Sequence, residues 1–572
     1  MCLLHFRVSS NSNLWSRSVR WPNLLISSSV ARHCDGVASN EAGICVPLWR
    51  TAVPILIMRR LRHFSPLEWV GAATVLAAAS RMLWLAIAYL FGRASAARFQ
   101  VESAATAFVL VALLFRWIRS RKDIPQIPES HHLPATTIVL WWMMALVLYG
   151  RALSTGFLSD DYVLIDRASR WSVGAVTSEL FRPVPLALWA VMLHAGAGAV
   201  TLHLLNVIVH GTNAFFSTRI VQRFLTGRLL PALAGGLLLT FPLATEAVVW
   251  CSGVFDVLAT ALVLGCVLAS RGYDVAPTIG RRCRFFALGL AALLSKETAA
   301  VVGVLVLLDA WLRRSRNRAL IVDAGMLVLA AAGFGAIRIA ASDLIRRPLT
   351  TYALQRFLFG EFGSLAVPWR VDVIRSTPWL PVAGVLMLTG LMLRFALTRG
   401  GISRTRVVLS ALMWVVAAGA PLATFFFVAP DLQGSRYLYL PSVGWATLLV
   451  AMAGHQSAEN ESRVAAFVPL GAVVALIVTG SVGVRLHQQP WQRAAAVRNE
   501  VEAAAKQDVR MASCSIVQLA DLPDSVEGAY VFRNGVAEAF GRDVGLNARV
   551  GSGGGPCAFE WDPGQHAFVR AR

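Results

Sequence analysis

Two adjacent carboxylates, Asp160 and Asp161, stand in the run Gly156-Phe157-Leu158-Ser159-Asp160-Asp161-Tyr162, directly after a long apolar stretch and upstream of Phe181-Arg182-Pro183. A hydrocarbon-facing segment has no structural use for charge, so acids and a cation beside it point to chemistry on a phosphate-bearing lipid. Neighbouring side chains diverge by about 100° on a helix and oppose each other on a strand, which disfavours a symmetric proton-sharing dyad. One acid, assigned as Asp160, can then act as general base toward a hydroxyl, while Asp161 orients a hydroxyl, a cation or the loop itself. The plain alternative is that Asp160, assisted by Ser159, caps a helix starting at Tyr162, which leaves the second acid unexplained. When a sugar leaves a lipid phosphodiester, the phosphate gains about one negative charge, and a guanidinium placed there favours the transition state. That is the work open to Arg182, which Pro183 and Pro185 stiffen; snorkelling to a lipid headgroup is the alternative.

Further candidates lie downstream. His203, Asn206 and His210 recur at helical spacing on one face of an otherwise apolar run, so they line a water-filled cavity or bond to neighbouring helices. Metal binding is disfavoured there, because the two histidines are two turns apart with no carboxylate between them. Glu246 and Asp256 form a second acidic pair around Trp250-Cys251-Ser252-Gly253. Lys296 and Glu297 interrupt two apolar runs and read either as an ion pair within a short turn or as cavity residues. Arg436, followed by Tyr437 and Tyr439, either anchors an interfacial belt or holds a polyprenyl phosphate, and the second reading is preferred.

These residues need a membrane frame, and composition supplies it. The chain has 572 residues, 56% of them hydrophobic and only 15% charged, with a mean hydropathy of +0.59, which indicates a polytopic membrane protein. The net charge of +21 is carried by arginine clusters between apolar runs, with no basic face and no RNA-binding motif, so nucleic acid is excluded as a partner. None of the eight cysteines forms a CxxC or a metal-ligand spacing, and only Cys514 and Cys557 share a soluble segment, where pairing stays open.

About thirteen spans are expected, near 67–91, 101–118, 134–152, 200–221, 229–246, 248–270, 284–295, 298–312, 319–341, 378–398, 405–429, 436–454 and 464–485. Arginine clusters at 59–62, 116–122, 223–228, 271–284, 313–318 and 394–406 mark cytoplasmic loops, giving a cytoplasmic N-terminus and an extracytoplasmic C-terminus. The short runs 184–197 and 353–367 are expected to be re-entrant or interfacial helices on the outer surface. This threading uses only apolar length and arginine position, yet it gathers Asp160, Asp161, Arg182, His203, Glu246, Lys296, Glu297 and Arg436 on the outer face. Residues 1–57 read as a disordered or untranslated extension, with Met58-Arg59-Arg60 a more natural start, and 58–486 as the membrane domain. Residues 487–572 read as a small α+β extracytoplasmic tail, with an amphipathic helix over 491–507, strands over 514–519 and 528–532, and two strands joined at Asp562-Pro563-Gly564.

The ordered set LSDDYVLIDRA, FRPVPLALWAV, HLLNVIVHGTNA, FPLATEAVVWCSGVFDVLAT, LLSKETA and GSRYLYLPSVG resembles the membrane domain of the transmembrane and tetratricopeptide-containing O-mannosyltransferases and their bacterial relatives. More distantly it is similar to protein O-mannosyltransferases and to the aminoarabinose transferases that modify lipid A. The resemblance covers residues 134–455. It implies the GT-C fold, a sugar donated from a polyprenyl monophosphate carrier on the outer face, and inversion at the anomeric carbon. In that family the acidic pair of the first outer loop is catalytic, which maps onto Asp160 and Asp161, and the basic residue opening the RP motif maps onto Arg182. No tetratricopeptide repeats follow, and the spans before residue 134 have no counterpart in the family. The expectation is therefore an integral-membrane inverting glycosyltransferase in the plasma (inner) membrane of a bacterium, with Arg182 and Arg436 on the donor phosphate and an unspecified glycan, lipid or protein acceptor. His203, Asn206, His210, Glu246, Asp256, Lys296, Glu297, Tyr437 and Tyr439 would line the substrate cavity. No metal ligand set is assigned, although adjacent acids leave room for a divalent cation. The rival readings are a lipid-linked-saccharide transporter or flippase, an O-antigen polymerase or ligase, and a noncatalytic scaffold.

Overall fold

The computed structural model describes residues 134–571 apart from 173–180, 226–227, 342–349, 398–401, 424–426, 455–462 and 552–554. The extension 1–57 and the spans 67–91 and 101–118 lie outside the described residues. An apolar run in hydrocarbon has only its own backbone to satisfy its N–H and C=O groups, so the described chain is mostly helical. Among the described residues six helices are long and apolar enough to cross a membrane: Ala135–Ser154, Ala199–Val221, Cys251–Asp274, Arg318–Arg338, Arg404–Leu422 and Val468–Gln507.

The run 229–246 is not one straight span. It divides into Leu229–Leu239 and Pro242–Val249, bent by 48°, because Pro242 has no N–H to continue the ladder and Phe241 before it is driven to extended backbone. Counting that pair as one span gives up to seven. The runs 284–295, 298–312, 378–398 and 436–454 contribute the shorter helices Ile279–Leu293, Val302–Leu312, Trp379–Leu397 and Tyr439–Ala453, fewer than the roughly 20 residues of an unaided crossing. The two runs too short to span form Pro183–His194 and Thr351–Ala366.

Four helices frame the candidate residues: α1 (Asp160–Ser169), α2 (Ala199–Val221), α3 (Val254–Ser270) and α4 (Arg463–Gln507). The last corrects two expectations at once. The run 464–485 and the amphipathic helix 491–507 are not separate elements but one continuous helix of 45 residues, about 65 Å long. Pro490 would ordinarily break it, but the preceding turn is pinned from outside. Gln488 donates to the carbonyls of Leu148 at 3.0 Å and Val484 at 3.3 Å, and the buried His487 donates to that of Pro242 at 3.4 Å.

The tail is α+β as expected. Strands β1 (Val517–Ala520), β2 (Ser525–Val526), β3 (Ala529–Tyr530), β4 (Ala548–Val550), β5 (Ala558–Asp562) and β6 (Ala567–Arg570) form a four-stranded sheet in the order β4-β1-β5-β6 and a β2-β3 hairpin. β1 runs parallel to β4 and β5, whereas β5 and β6 are antiparallel across the expected Asp562-Pro563-Gly564 turn. The strand expected over 528–532 is confined to β3, and that over 514–519 to β1. Cys514 and Cys557 are joined in a disulfide, with Cα atoms 5.9 Å apart. The tail has no separate core: Val517, Leu519, Phe532 and Phe559 belong to the same buried cluster as Leu158, Tyr162, Trp250 and Trp491.

Tryptic mapping under non-reducing conditions is expected to recover one peptide pair joining Cys514 to Cys557, with Cys251, Cys266 and Cys283 unpaired. Loss of the 43-residue loop in Cys514→Ser should weaken the tail by about 4 kcal/mol, read as earlier proteolysis of residues 508–571.

Candidate active site

The acidic loop is bent by its own backbone. Gly156 takes φ +71° and Ser159 takes φ +50°, a region that disfavours any residue with a Cβ. α1 begins at Asp160, not Tyr162, and no side chain caps it. The capping reading therefore fails, because both would-be caps are engaged elsewhere. Ser159 Oγ accepts the backbone N–H of Asn534 at 3.3 Å, and Asp160 accepts the Asn534 side-chain amide at 2.6 Å.

The two carboxylates diverge as helical neighbours must. Asp160 remains partly exposed, whereas Asp161 is 0% exposed. Asp161 accepts the N–H of Leu158 at 2.8 Å and that of Ser252 at 2.7 Å, together with the Ser252 hydroxyl. It is thus not presented to a substrate hydroxyl or a cation; of the three tasks open to it, it performs the last, holding the loop. Burial pushes its carboxyl up to about 7, with the Ser252 and Leu158 hydrogen bonds pulling the other way.

Ser252 sits in a helix break. Between Thr245–Val249 and α3 the chain passes through Trp250 in extended backbone and a 3-10 turn, Cys251–Gly253. Gly253 is required here by space, since a Cβ would lie 2.1 Å from the Ala247 carbonyl oxygen. The exposed backbone groups of the break are satisfied by side chains: Asn206 donates to the carbonyls of Trp250 at 2.8 Å and Cys251 at 3.1 Å, and Asp161 takes the N–H of Ser252. Trp250 in turn donates its indole N–H to the Leu158 carbonyl at 3.1 Å.

The same segment collects the charges. Glu246 pairs with Arg436, and its other oxygen accepts the Arg436 backbone N–H at 3.2 Å. The Arg436 guanidinium lies over the rings of Trp250 at 4.8 Å, Tyr437 at 4.9 Å and Tyr530 at 5.6 Å. Asp256 pairs with Lys296, whose ammonium is 5.3 Å from the Tyr437 ring centre. The reading of Lys296 and Glu297 as a local ion pair is overturned. An extended backbone at Lys296 sends the two side chains apart, and Glu297 accepts from Arg182 at 3.0 Å and from Arg338 at 2.6 Å. Arg182 also covers the Phe255 ring at 5.2 Å. Burial pushes Lys296 down to about 8 against the pull of Asp256, and Arg182 and Arg436 are near enough to add to the fall. Against the upward push of burial, Arg182 and Arg338 hold Glu297 down at about 2. Among the described residues four cations, Arg182, Lys296, Arg338 and Arg436, thus meet the three carboxylates Glu246, Asp256 and Glu297.

The stripe on α2 resolves differently. His203, Asn206 and His210 are all 0% exposed and bond to neighbouring elements instead of lining a cavity. His203 donates to the Gly156 carbonyl at 2.9 Å. His210 donates to that of Leu239 at 3.1 Å and accepts from the Tyr439 hydroxyl at 2.6 Å, and Asn213 donates to the same hydroxyl at 3.0 Å. Tyr439 is therefore a core residue as well. In a sealed helix packing these polar groups find only backbone carbonyls and each other, and they are used accordingly.

A cleft reaches the charge cluster at Glu246, and a second, apolar groove shares Pro242 with that cleft. The polar cleft of ≈ 300 Å³ is bounded by Glu246, Arg370, Asp431, Ser435, Trp491 and Glu527, and the apolar groove of ≈ 510 Å³ by Leu237, Pro242, Trp369, Leu388, Trp445 and Leu476. Among the described residues no group of three His, Cys, Asp or Glu side chains could hold a metal ion. Sequence reasoning passed over Arg338, Ser252 and Asn534. Arg338 stands inside an apolar run and was open to discovery as an intramembrane cation; Ser252 and Asn534 gave no such signal. No family model matches this chain, and no curated protein or solved structure is significantly similar to it.

Because burial raises Asp161 from 3.8 to about 7, the folded chain holds that proton more tightly than the unfolded chain. The stability it brings is complete below about pH 4 and is lost as pH rises through 7. Wild-type Tm in detergent is expected to fall between pH 5 and pH 8, and that of Asp161→Asn to fall less; equal slopes would remove Asp161 as the titrating clamp.

Proposed function

We propose that this chain is an integral-membrane inverting glycosyltransferase of the GT-C type, which moves a sugar from a polyprenyl-phosphate carrier to an acceptor hydroxyl on the extracytoplasmic face. The observation that carries this reading is the meeting, on the one segment from Glu246 to Asp256, of the loop bearing Asp160 and of the cations Lys296 and Arg436. Asp160 takes the proton of the acceptor hydroxyl as its oxygen bonds to the anomeric carbon. The bond from that carbon to the phosphate oxygen breaks, and the electron pair leaves on the phosphate.

A polyprenyl phosphodiester carries one negative charge and the departing monoester close to two, so cations beside it act mainly in the transition state. Glu297 and Glu246 keep Arg182 and Arg436 in place before the donor arrives, and the phosphate competes with these carboxylates for the guanidinium donors. Lys296, near enough to both arginines to feel their charge, answers the growing charge on the phosphate. The apolar groove beside the polar cleft has a character suited to isoprenoid units. In this reading the thirteen spans include the shorter helices and the two runs that precede residue 134, the N-terminus is cytoplasmic, and the membrane is the plasma (inner) membrane.

Reconstituted protein given a radiolabelled polyprenyl-phosphate sugar and a mixed glycan acceptor is expected to form product. Asp160→Asn should lower kcat by about 100-fold or more, and Arg182→Gln should lower kcat/KM for the donor by about 10-fold or more. Unchanged transfer by Asp160→Asn would sink the assignment of the base.

A further inference from the structure

The loop bearing Asp160 is held by the break at Ser252, by His203, by Arg498 and by the C-terminal tail, some 370 residues downstream. Asn534 donates its side-chain amide to Asp160 at 2.6 Å and its backbone N–H to Ser159 Oγ at 3.3 Å. The Ser159 N–H is taken by the Val531 carbonyl at 2.9 Å. Gly535 follows with φ +74°, and a Cβ there would lie 2.8 Å from the Ser159 carbonyl oxygen and 3.2 Å from Tyr162 Cβ. Only glycine meets both demands, conformation and close approach. The same stretch of tail reaches the other half of the site: the Tyr530 hydroxyl accepts from Arg436 at 3.0 Å, and its ring packs on Trp250 at 4.7 Å.

A free carboxylate on a loop has two χ angles to settle, and a general base must be aimed. The Asn534 amide occupies one oxygen of Asp160 and leaves the other for a substrate proton. We infer that Asn534 is a positioning residue for Asp160, so that the tail is one wall of the catalytic site and not an appendage to the membrane domain. The inference rests on the glycosyltransferase reading for its kinetic consequence and on geometry alone for the contact.

Two measurements on the full chain separate these. In a Cys283→Ser background, Asp160→Cys combined with Asn534→Cys should be joined by a short bis-maleimide, with the 160–534 link identified by mass spectrometry; absence of that link overturns the contact whatever the activity. In the transfer assay, Asn534→Ala should lower kcat about 10-fold with donor KM unchanged. Asn534→Asp, nearly the same shape but anionic beside Asp160, should lower it further. In an Asp160→Asn background, Asn534→Ala should cost nothing more. Equal losses in both backgrounds would overturn the positioning role and leave Asn534 as part of the tail's fold. A wild-type protein inactive toward every polyprenyl-phosphate sugar, with the cross-link formed, would overturn the glycosyltransferase reading and the kinetic role together.

Discussion

A helix that breaks inside a membrane protein strands backbone N–H and C=O groups where water cannot reach them, and the break at Trp250–Gly253 organises everything around it. Its carbonyls are taken by Asn206 from α2 and its Ser252 N–H by Asp161 from the acidic loop. Each buried partner left unmade would cost about 1–3 kcal/mol, so these elements are obliged to meet. The residues that satisfy the break thereby fix the loop that presents Asp160, and the residues flanking it, Glu246 and Asp256, fix where Arg436 and Lys296 lie.

The cluster that results is held by exchangeable bonds. Every cation in it has a carboxylate or an aromatic face, as buried charge demands. Lys296 and Arg436 add aromatic contacts to their carboxylate partners, the one over Tyr437 and the other over Trp250, Tyr437 and Tyr530. Pairing of Arg182 with Glu297 and of Arg436 with Glu246 keeps the guanidiniums ordered, which is a form of preorganisation; the alternative, long flexible cations free in a cavity, would lose more entropy on binding.

The tail is bound to the same centre. Its β3 strand and the following loop reach Arg436, Trp250, Ser159 and Asp160. The long helix α4 brings it there without interruption, and Arg498 on that helix donates to the Phe157 carbonyl at 2.9 Å and to the Tyr162 hydroxyl at 3.0 Å. A boundary at 486 looked natural because hydropathy falls there. What hydropathy cannot register is that a helix may leave the apolar layer and continue as a soluble support, with Gln488 and His487 holding the turn before Pro490.

Apolar length in the chain was enough to indicate a mostly helical protein with several helices able to cross a membrane, strand alternation and turn residues were enough to indicate an α+β tail, and residue chemistry drew attention to the Asp160 loop, Arg182, Glu246, Asp256, Lys296, Glu297 and Arg436. These are properties of local composition, and a charge in an apolar context announces itself. Which carboxylate faces outward, which acid serves which base, and whether a polar stripe lines a cavity or zips two helices together depend on contacts between segments tens to hundreds of residues apart. Asp161 and Asp160 are chemically identical and adjacent, and only the position of Ser252 and Asn534 in space turns one into a buried clamp and leaves the other at the surface.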